Sequence, residues 1–214
     1  MSPRPDVSET RKNQIIQAAI QVFTRLGFHD ARMDDIVREA GLSKGALYWY
    51  YNSKEELIIA ILDRIFGAEF KKMDALKDAE LPAYQCLVNF LDLFIEDLRN
   101  MQSLTPIIYE FYALAFRNQT VRLVMQRYLN TFVANIQPII QRGIDNGEFH
   151  SVDAHQVAIA LGSQLEGTLL LWAYAPQIMS LEEQLRAGVD MLLRALIVPD
   201  SELIRGGRDG NTSL

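Results

Sequence analysis

Cysteine is nearly absent from this chain of 214 residues, because Cys86 stands alone. A lone cysteine makes neither an internal disulfide nor a multi-thiolate metal site, which suits a reducing compartment. Proline and glycine are also sparse, at 7 and 12 residues, and this disfavours an all-β protein with frequent turns. No apolar run reaches the roughly 20 residues of a membrane-spanning helix, and no apolar signal stretch follows the first six residues. We therefore expect a soluble cytoplasmic protein without membrane association.

The residues that are present favour a globular chain with an uneven distribution of charge. Hydrophobic residues make up 49% of the sequence, and the net charge is −6. Residues 1–56 hold eight basic and eight acidic side chains, whereas residues 57–214 hold thirteen and nineteen. An acidic body would keep a polyanion such as nucleic acid away from everything except the neutral N-terminal segment. The charge distribution permits DNA binding there but does not require it.

Apolar residues recur at three- and four-residue steps throughout the chain, which predicts helices and leaves no strand alternation. Gly27 and Gly41 are predicted helix stops, Ser43 is a predicted N-cap, and Pro138 is a predicted kink inside a helix. The sequence therefore predicts an all-α fold of about nine helices, approximately at 8–28, 33–40, 44–51, 54–76, 82–99, 105–117, 120–146, 153–175 and 180–198.

Residues 33–51 carry the sharpest local pattern, two short helices around a tight turn at residues 40–42. This is the arrangement of a DNA-binding helix-turn-helix. If Leu47 points inward, Gly45 and Trp49 point outward, and the outward face has no acidic residue. The alternative is an aromatic helix that only packs on its neighbours. Four consecutive aromatic residues at 48–51 cannot all lie inside, however, so at least one is exposed or in an interface.

A rival motif occupies the same residues, because Gly41 to Gly45 fits the G-x-S-x-G pattern of hydrolases. That pattern needs a strand before the serine, and here a helix is predicted. The three histidines, His29, His150 and His155, also fit neither the chain order of a hydrolase triad nor a metal-binding spacing. We expect no enzyme activity, no metal site and no cofactor.

The run from Thr10 to Leu57 resembles the DNA-binding domain of the TetR family of bacterial transcriptional regulators. The resemblance covers about the first quarter of the chain and is specific in combination, at Ile15, Ala18-Ala19, Phe23, Gly27-Phe28, Asp35-Ile36, 40–45, Leu47-Tyr48, Tyr50 and 53–57. It implies a DNA-binding domain at residues 1–56, an effector and dimerisation domain at 57–198, and a flexible tail at 199–214.

The resemblance also implies roles for individual residues of the first domain. Lys44, Gly45 and Ala46 would approach base edges, while Ser43, Tyr48, Trp49 and Lys54 would contact phosphates. Ala46 offers only a methyl group, which suits a thymine. Met33 stands where the family often has threonine, and the neighbouring Arg32 would supply the phosphate contact at that point.

The rest of the chain supplies two further sets of candidate residues. The last two helices have an apolar stripe that either forms an intramolecular core or, as the resemblance implies, pairs with a second subunit; it includes Leu161, Leu165, Thr168, Leu185, Val189 and Leu192. The resemblance implies a small-molecule cavity among the fifth to eighth helices, and the candidate residues there are Phe90, Phe94, Tyr109, Tyr112, Met125, Tyr128, Gln164 and Trp172.

The resulting hypothesis is a ligand-responsive transcriptional regulator, in this family most often a repressor. A homodimer would read a palindromic double-stranded operator with recognition helices about 34–36 Å apart, and a small apolar effector would release it. The alternative hypothesis is a helical protein that binds a small molecule or lipid without binding an operator.

Overall fold

The computed structural model describes residues 7–77, 80–100 and 105–199. In these residues the regular structure consists of helices, and one isolated antiparallel bridge joins Phe149 to Ile197. The helices are α1 (Val7–Asp30), α2 (Met33–Ala40), α3 (Lys44–Tyr50), α4 (Lys54–Lys77), α5 (Ala83–Asn100), α6 (Thr105–Ala115), α7 (Gln119–Asp145), α8 (Ala154–Tyr174) and α9 (Leu181–Leu196). The all-α prediction is confirmed.

Side-chain caps fix the predicted starts of three helices. The side chain of Ser43 accepts a hydrogen bond from the third following backbone N–H, at 3.2 Å. Ser180 does the same at 3.4 Å, and Asp153 accepts from two N–H groups at 2.9 and 3.2 Å. Such caps satisfy donors that the first turn of a helix leaves without an internal partner. Short polar residues before an apolar repeat were therefore reliable signals of helix starts.

Two compact units divide the chain, and each draws on two stretches of sequence. The first unit contains α1, α2, α3 and α6 with the parts of α4 and α7 up to residues 68 and 128. The second unit contains the remainder of α4, α5 up to Leu98, α7 from Leu129, and the two last helices. The predicted functional boundary after residue 56 stays a prediction. The predicted flexible tail lies, apart from Pro199, outside the described residues.

The core of the first unit is formed by apolar faces of all its helices. On α1 to α4, side chains at 0–1% exposure include Ile15, Phe23, Ile36, Leu47 and Ile58. The sixth helix adds two more, Ile107 at 1% and Phe111 at 0%. Burial of side chains of this size stabilises a fold by about 1.5–3 kcal/mol each relative to exposure. The short helices α2 and α3 therefore depend on packing within this unit for their stability, with α2 against α1 and α3 against α2, while α6 packs on α1.

The core of the second unit is a single apolar cluster drawn from α5, α7, α8 and α9. Glu148, in the connection before α8, accepts hydrogen bonds from the backbone N–H groups of Ala83 and Tyr84 at 3.0 and 3.2 Å and so caps α5. One described helix, α8, is long and apolar enough to cross a membrane. Because Leu161 and Leu165 of that helix lie in the core, we assign it no span.

Candidate DNA-binding site

The turn between α2 and α3 is held by its backbone and by one side chain of α1. Gly41 adopts a left-handed conformation with φ 62° and ψ 32°, which residues with a Cβ rarely adopt. Its N–H donates to the carbonyl of Arg38, and the N–H of Leu42 donates to that of Val37, both at 3.2 Å. The amide of Gln14 donates to the carbonyl of Ala40 at 2.7 Å. The last carbonyls of α2 are thereby satisfied, and α3 leaves at a fixed angle.

The orientation of α3 agrees with the sequence interpretation. Leu47 is fully buried, whereas Gly45, Tyr48 and Trp49 are exposed, with Trp49 at 76%. The Trp49 ring meets the Tyr50 ring edge-on, with centroids 4.6 Å apart. The indole of Trp49 therefore gains little from burial within the chain and remains available to a partner. Ala46 is half-buried, and Ser43 is occupied in part as the N-cap.

Lys44 begins α3 and is exposed, but its ammonium is engaged. Its Nζ lies 2.9 Å from a carboxylate oxygen of Asp34 and 5.9 Å from the centre of the Tyr48 ring. The hydrogen bond to Asp34, together with the attraction of that carboxylate, raises the pKa of Lys44. The lysine is thus fully charged at neutral pH and stands over the same helix face as Tyr48.

Arg32 is exposed immediately before α2. Its backbone N–H donates to the Asp35 carboxylate at 2.9 Å, and the Arg38 guanidinium makes a second contact with that carboxylate. The hydrogen bond from Arg32 lowers the pKa of Asp35, and the contact with Arg38 lowers it further. An ionised Asp35 accepts these bonds at the start of α2, where negative charge also complements the helix dipole.

Lys54, for which the resemblance implies a phosphate contact, is bonded within the chain. It is half-buried, and its Nζ donates to the backbone carbonyls of Phe28 and His29 at 2.7 and 3.1 Å. The same ammonium lies 4.6 Å from the centre of the Phe28 ring. A cation at the C-terminal end of α1 satisfies carbonyls that the helix leaves open. Lys54 therefore has a structural role, whether or not it also contacts DNA.

The predicted effector residues fall into both units. In the second unit the rings of Phe90 and Phe94 lie 6.0 Å apart, and Phe90 also meets Phe132 at 5.9 Å. Gln164 donates to Thr168 within α8 at 3.2 Å, and Trp172 is half-buried.

The other candidate effector residues lie in the first unit, where Met125 is half-buried. The ring centres of Tyr109 and Tyr112 lie 6.4 Å apart, and Tyr128 stacks on Phe66 with ring centres 3.8 Å apart. The ring contacts with Phe66 and Phe132 are not evident from the sequence, because the spacing of aromatic residues along a helix does not identify their partners.

The predicted dimerisation residues lie inside one chain. Leu161, Leu165, Leu185 and Val189 belong to the core cluster of the second unit, and Thr168 is 5% exposed. Leu192 is partly buried against the same cluster. Buried side chains add little further area to an interface, so the apolar spacing is explained by packing within the chain. The exposed apolar residues of the same helices are Leu170, Leu171, Tyr174 and Met191.

The geometry also decides between the two motifs at residues 41–45. A helix precedes Ser43, and its side chain caps α3, whereas a nucleophile elbow requires a strand before the serine. Within the described residues, no group of three or more His, Cys, Asp or Glu side chains is placed to hold a metal ion. These residues therefore form an exposed helix after a tight helix-helix turn, and not a nucleophile elbow.

Comparison with known proteins agrees with this geometry. Residues 15–61 match the family model of bacterial regulatory proteins of the tetR family, and residues 84–197 match that of the C-terminal part of BetI-type transcriptional repressors. YfiR of Bacillus subtilis, an uncharacterized helix-turn-helix transcriptional regulator, is 33% identical over 156 residues, which are 71% of this chain and 75% of YfiR.

Two solved structures share the fold. SmeT of Stenotrophomonas maltophilia in complex with triclosan has a TM-score of 0.79 at 19% identity, over 89% of this chain and 93% of that chain. FadR of Bacillus subtilis in complex with stearoyl-CoA has a TM-score of 0.75 at 21% identity, over 86% and 98%. At such identities the structures establish the fold alone. With the family models and YfiR, they establish that this chain belongs to the TetR family of transcriptional regulators, which bind DNA and are not enzymes.

Proposed function

We propose that this protein is a ligand-responsive transcriptional repressor that binds a palindromic operator as a homodimer and is released by a small apolar effector. The observation that carries the proposal is the exposed face of α3, where Gly45, Tyr48 and Trp49 face solvent beside the charged Lys44. No acidic residue lies on α3 itself. A short helix with these properties suits the major groove of a duplex.

The contacts that we propose follow the order of residues along the helix. Lys44, Gly45 and Ala46 stand at the first turn of α3, the end that a recognition helix directs toward base edges. Ser43, Tyr48 and Trp49 flank that turn and would contact phosphates, as would Arg32 at the start of α2. Arg32 is exposed, so a phosphate is accessible to it. Lys54 has one N–H left for a phosphate after its two bonds to α1.

We propose that a second copy of this chain covers the outward faces of α8 and α9. Apolar or small side chains line the exposed side of each helix, at Ala160, Ser163, Leu170 and Tyr174 on α8 and at Ala187, Met191 and Ala195 on α9. Small residues allow backbones to approach closely, and Leu170 and Met191 are 52% and 71% exposed. Two linked half-sites bind DNA far more tightly than one, which makes a dimer the functional unit.

An apolar effector is supported by what related folds bind. SmeT has been solved in complex with triclosan, and FadR in complex with stearoyl-CoA. In this chain, the rings of Phe90, Phe94 and Phe132 form a buried apolar cluster in the second unit that an effector would enter, and Gln164 adds a polar group on α8. An effector of this kind would shift the operator affinity by about 5- to 150-fold, the usual range of allosteric coupling.

Selection from a pool of randomised duplexes tests the proposal, because it identifies the operator and measures its binding together. A repressor of this type should enrich a palindrome, and its affinity should fall steeply with salt because phosphate contacts release counterions. The variant Trp49→Ala should lose the enrichment, whereas Leu123→Ala, a matched exposed apolar residue on α7, should retain it. If the protein enriches no sequence but still binds apolar molecules independently of salt, the alternative of a small-molecule or lipid carrier is correct.

A further inference from the structure

Both backbone groups of Phe28 are held by side chains from other helices. The Phe28 N–H donates to Oε2 of Glu110 on α6 at 2.7 Å. The Phe28 carbonyl accepts from Nζ of Lys54, the first residue of α4, also at 2.7 Å. One residue near the end of α1 therefore joins three helices of the first unit. These partners lie 82 and 26 residues away in sequence, so the junction is tertiary.

The break in α1 at Gly27 creates this junction. Gly27 has φ 74° and ψ 158°, outside the helical region, and this frees the N–H of Phe28 from the helix ladder. A Cβ at position 27 would lie 3.1 Å from Oε1 of Glu110, tighter than most contacts of a Cβ, so the carboxylate would have to shift slightly. The absence of a side chain at Gly27 therefore leaves room for the carboxylate. The Phe28 ring, in turn, packs edge-on against Phe23 of the core at 5.4 Å.

The position of Glu110 is not explained by the electrostatics of α1 alone. Negative charge near the C-terminal end of a helix opposes the helix dipole. The positive charge of Lys54 at the same end compensates for it, and the charged acceptor makes a stronger bond to the N–H than a neutral one would. The arrangement thus fixes where α6 lies relative to α1, and the amide of Gln14 on α1 holds the end of α2.

We propose that Glu110 is a positioning residue that couples α6 to the DNA-reading helices through Phe28. A displacement of α6 moves the α1 break and the start of α4 together, because Glu110 and Lys54 hold the same residue. This inference rests on the proposed regulatory function and specifies the contact through which α6 acts on it. The coupling depends on the length of the Glu110 side chain, because its Oε2 must lie close enough to the Phe28 nitrogen, here 2.7 Å, to accept the hydrogen bond.

Three substitutions at Glu110 separate reach from charge. Glu110→Gln keeps an oxygen at the same reach and removes the charge, whereas Glu110→Asp keeps the charge and shortens the side chain. Glu110→Ala removes both. We expect Glu110→Asp and Glu110→Ala to speed hydrogen exchange of the Phe28 amide at least about tenfold, because the amide loses its acceptor. We expect exchange in Glu110→Gln to stay within about threefold of the parent protein, because the amide oxygen still accepts the bond.

A double-mutant cycle with Ile107→Val measures coupling directly. Ile107 is 1% exposed on α6, so removal of one methyl group disturbs that helix mildly. The change should alter both Phe28 exchange and affinity for the selected operator in the parent protein, and should alter neither in the Glu110→Asp background. The effects of two substitutions that act through one contact are non-additive in this way, whereas the effects of independent substitutions on stability add.

Two results would overturn the inference. One is that the Phe28 amide exchanges at the same rate in Glu110→Asp as in the parent protein. The other is that Ile107→Val changes exchange and operator affinity equally in the parent and Glu110→Asp backgrounds. Failure of the proposed function is distinguishable from both. In that case the parent protein enriches no operator, while the exchange of the Phe28 amide in the same variants still decides whether Glu110 couples α6 to α1.

Discussion

The ammonium of Lys44 lies 2.9 Å from the carboxylate of Asp34. This ion pair joins the first residue of α3 to the first turn of α2. Both side chains are nearly two-thirds exposed, at 64% and 63%. An ion pair so open to solvent is easily exchanged for a phosphate. If Lys44 contacts DNA as we propose, Asp34 competes with the duplex for the lysine, and its charge repels the phosphates of any sequence equally.

The variant Asp34→Asn should bind non-operator DNA about two- to fivefold more tightly, because it removes this competition, although an exposed pair is weak. Operator affinity should rise less, so the ratio of specific to non-specific affinity should fall. Fluorescence anisotropy with both duplexes at fixed salt measures the ratio. Glu9→Gln is the matched control, since it breaks another exposed pair, with Lys12 at 2.8 Å, within α1 and without a contact to Lys44. Equal effects of the two variants would mean that only net charge matters.

Asp35 predicts a dependence of stability on pH. Its pKa in the folded protein lies below the ordinary value of 3.8, first because of the hydrogen bond from the Arg32 N–H. The ionised form is thus favoured by folding, and its contribution is complete above pH 3.8 and is lost as the pH falls through the folded pKa. Asp35→Asn should therefore be less stable at neutral pH and should lose stability less steeply in acid. Chemical denaturation from pH 6 to about pH 2.5 measures both slopes. Parallel curves for the two proteins would contradict the assignment.

Lys54→Met should destabilise the fold by about 1–2 kcal/mol, because two backbone carbonyls at the end of α1 lose a charged donor. The methyl thioether retains the packing on the Phe28 ring, so the loss reports the ammonium. Thermal unfolding measures the effect. The salt dependence of operator binding provides a second measurement, in which the slope falls by about one unit only if Lys54 also contacts a phosphate. An unchanged melting temperature would leave the bonds to α1 without energetic importance.

The two tryptophans should report on different events. Trp49 is 76% exposed on α3, so contact with a duplex should change its emission. Trp172 is half-buried on α8 and should respond to an apolar effector. Trp49→Phe should abolish most of the DNA signal and keep the effector signal, and Trp172→Phe should do the reverse. An operator response that survives Trp49→Phe would remove α3 from the contact surface.

Charged residues on the outward faces of α8 and α9 should separate the proposed dimer without unfolding it. Leu170→Glu and Met191→Glu replace side chains that are 52% and 71% exposed, so each chain tolerates them, while an apolar interface between copies does not. Leu185→Glu, at 0% exposure, should instead unfold the second unit. Sedimentation velocity distinguishes the outcomes. Leu123→Glu, 57% exposed on α7, is the control, and a dimer that persists in all three exposed variants places the interface elsewhere.

Local signals in the sequence predicted most helix boundaries. Helix starts are predicted correctly at Ser43, Asp153 and Ser180, because a short polar side chain there accepts a hydrogen bond from a backbone N–H two or three residues later. Helical spacing also predicts which face of α3 is exposed, since Leu47 is buried and Trp49 is exposed as expected. These properties depend on neighbours along the chain, which a sequence displays directly.

Properties that depend on distant partners were predicted poorly. The apolar repeat on α8 and α9 is compatible with an intramolecular core or with a second subunit, and in the structure Leu161 and Leu185 lie in the core of one chain. Periodicity shows that a helix face is covered and not which chain covers it. The bonds that Lys54 makes within the chain are invisible in the sequence for a related reason. A lysine at a helix start shows nothing of the carbonyls of Phe28 and His29, which tertiary packing brings to it.

The discontinuous make-up of the first unit has a consequence for its synthesis and for attempts to transplant it. The unit's first stretch ends near residue 68, yet Ile107 and Phe111 of α6, both nearly fully buried, complete it. A nascent chain that has emerged only as far as α4 therefore contains α2 and α3 before α6 can cover the apolar surface of α1. A chimaera that takes α1, α2 and α3 from this protein must therefore include α6. A fragment that ends inside α4 would expose that apolar surface to water and aggregate.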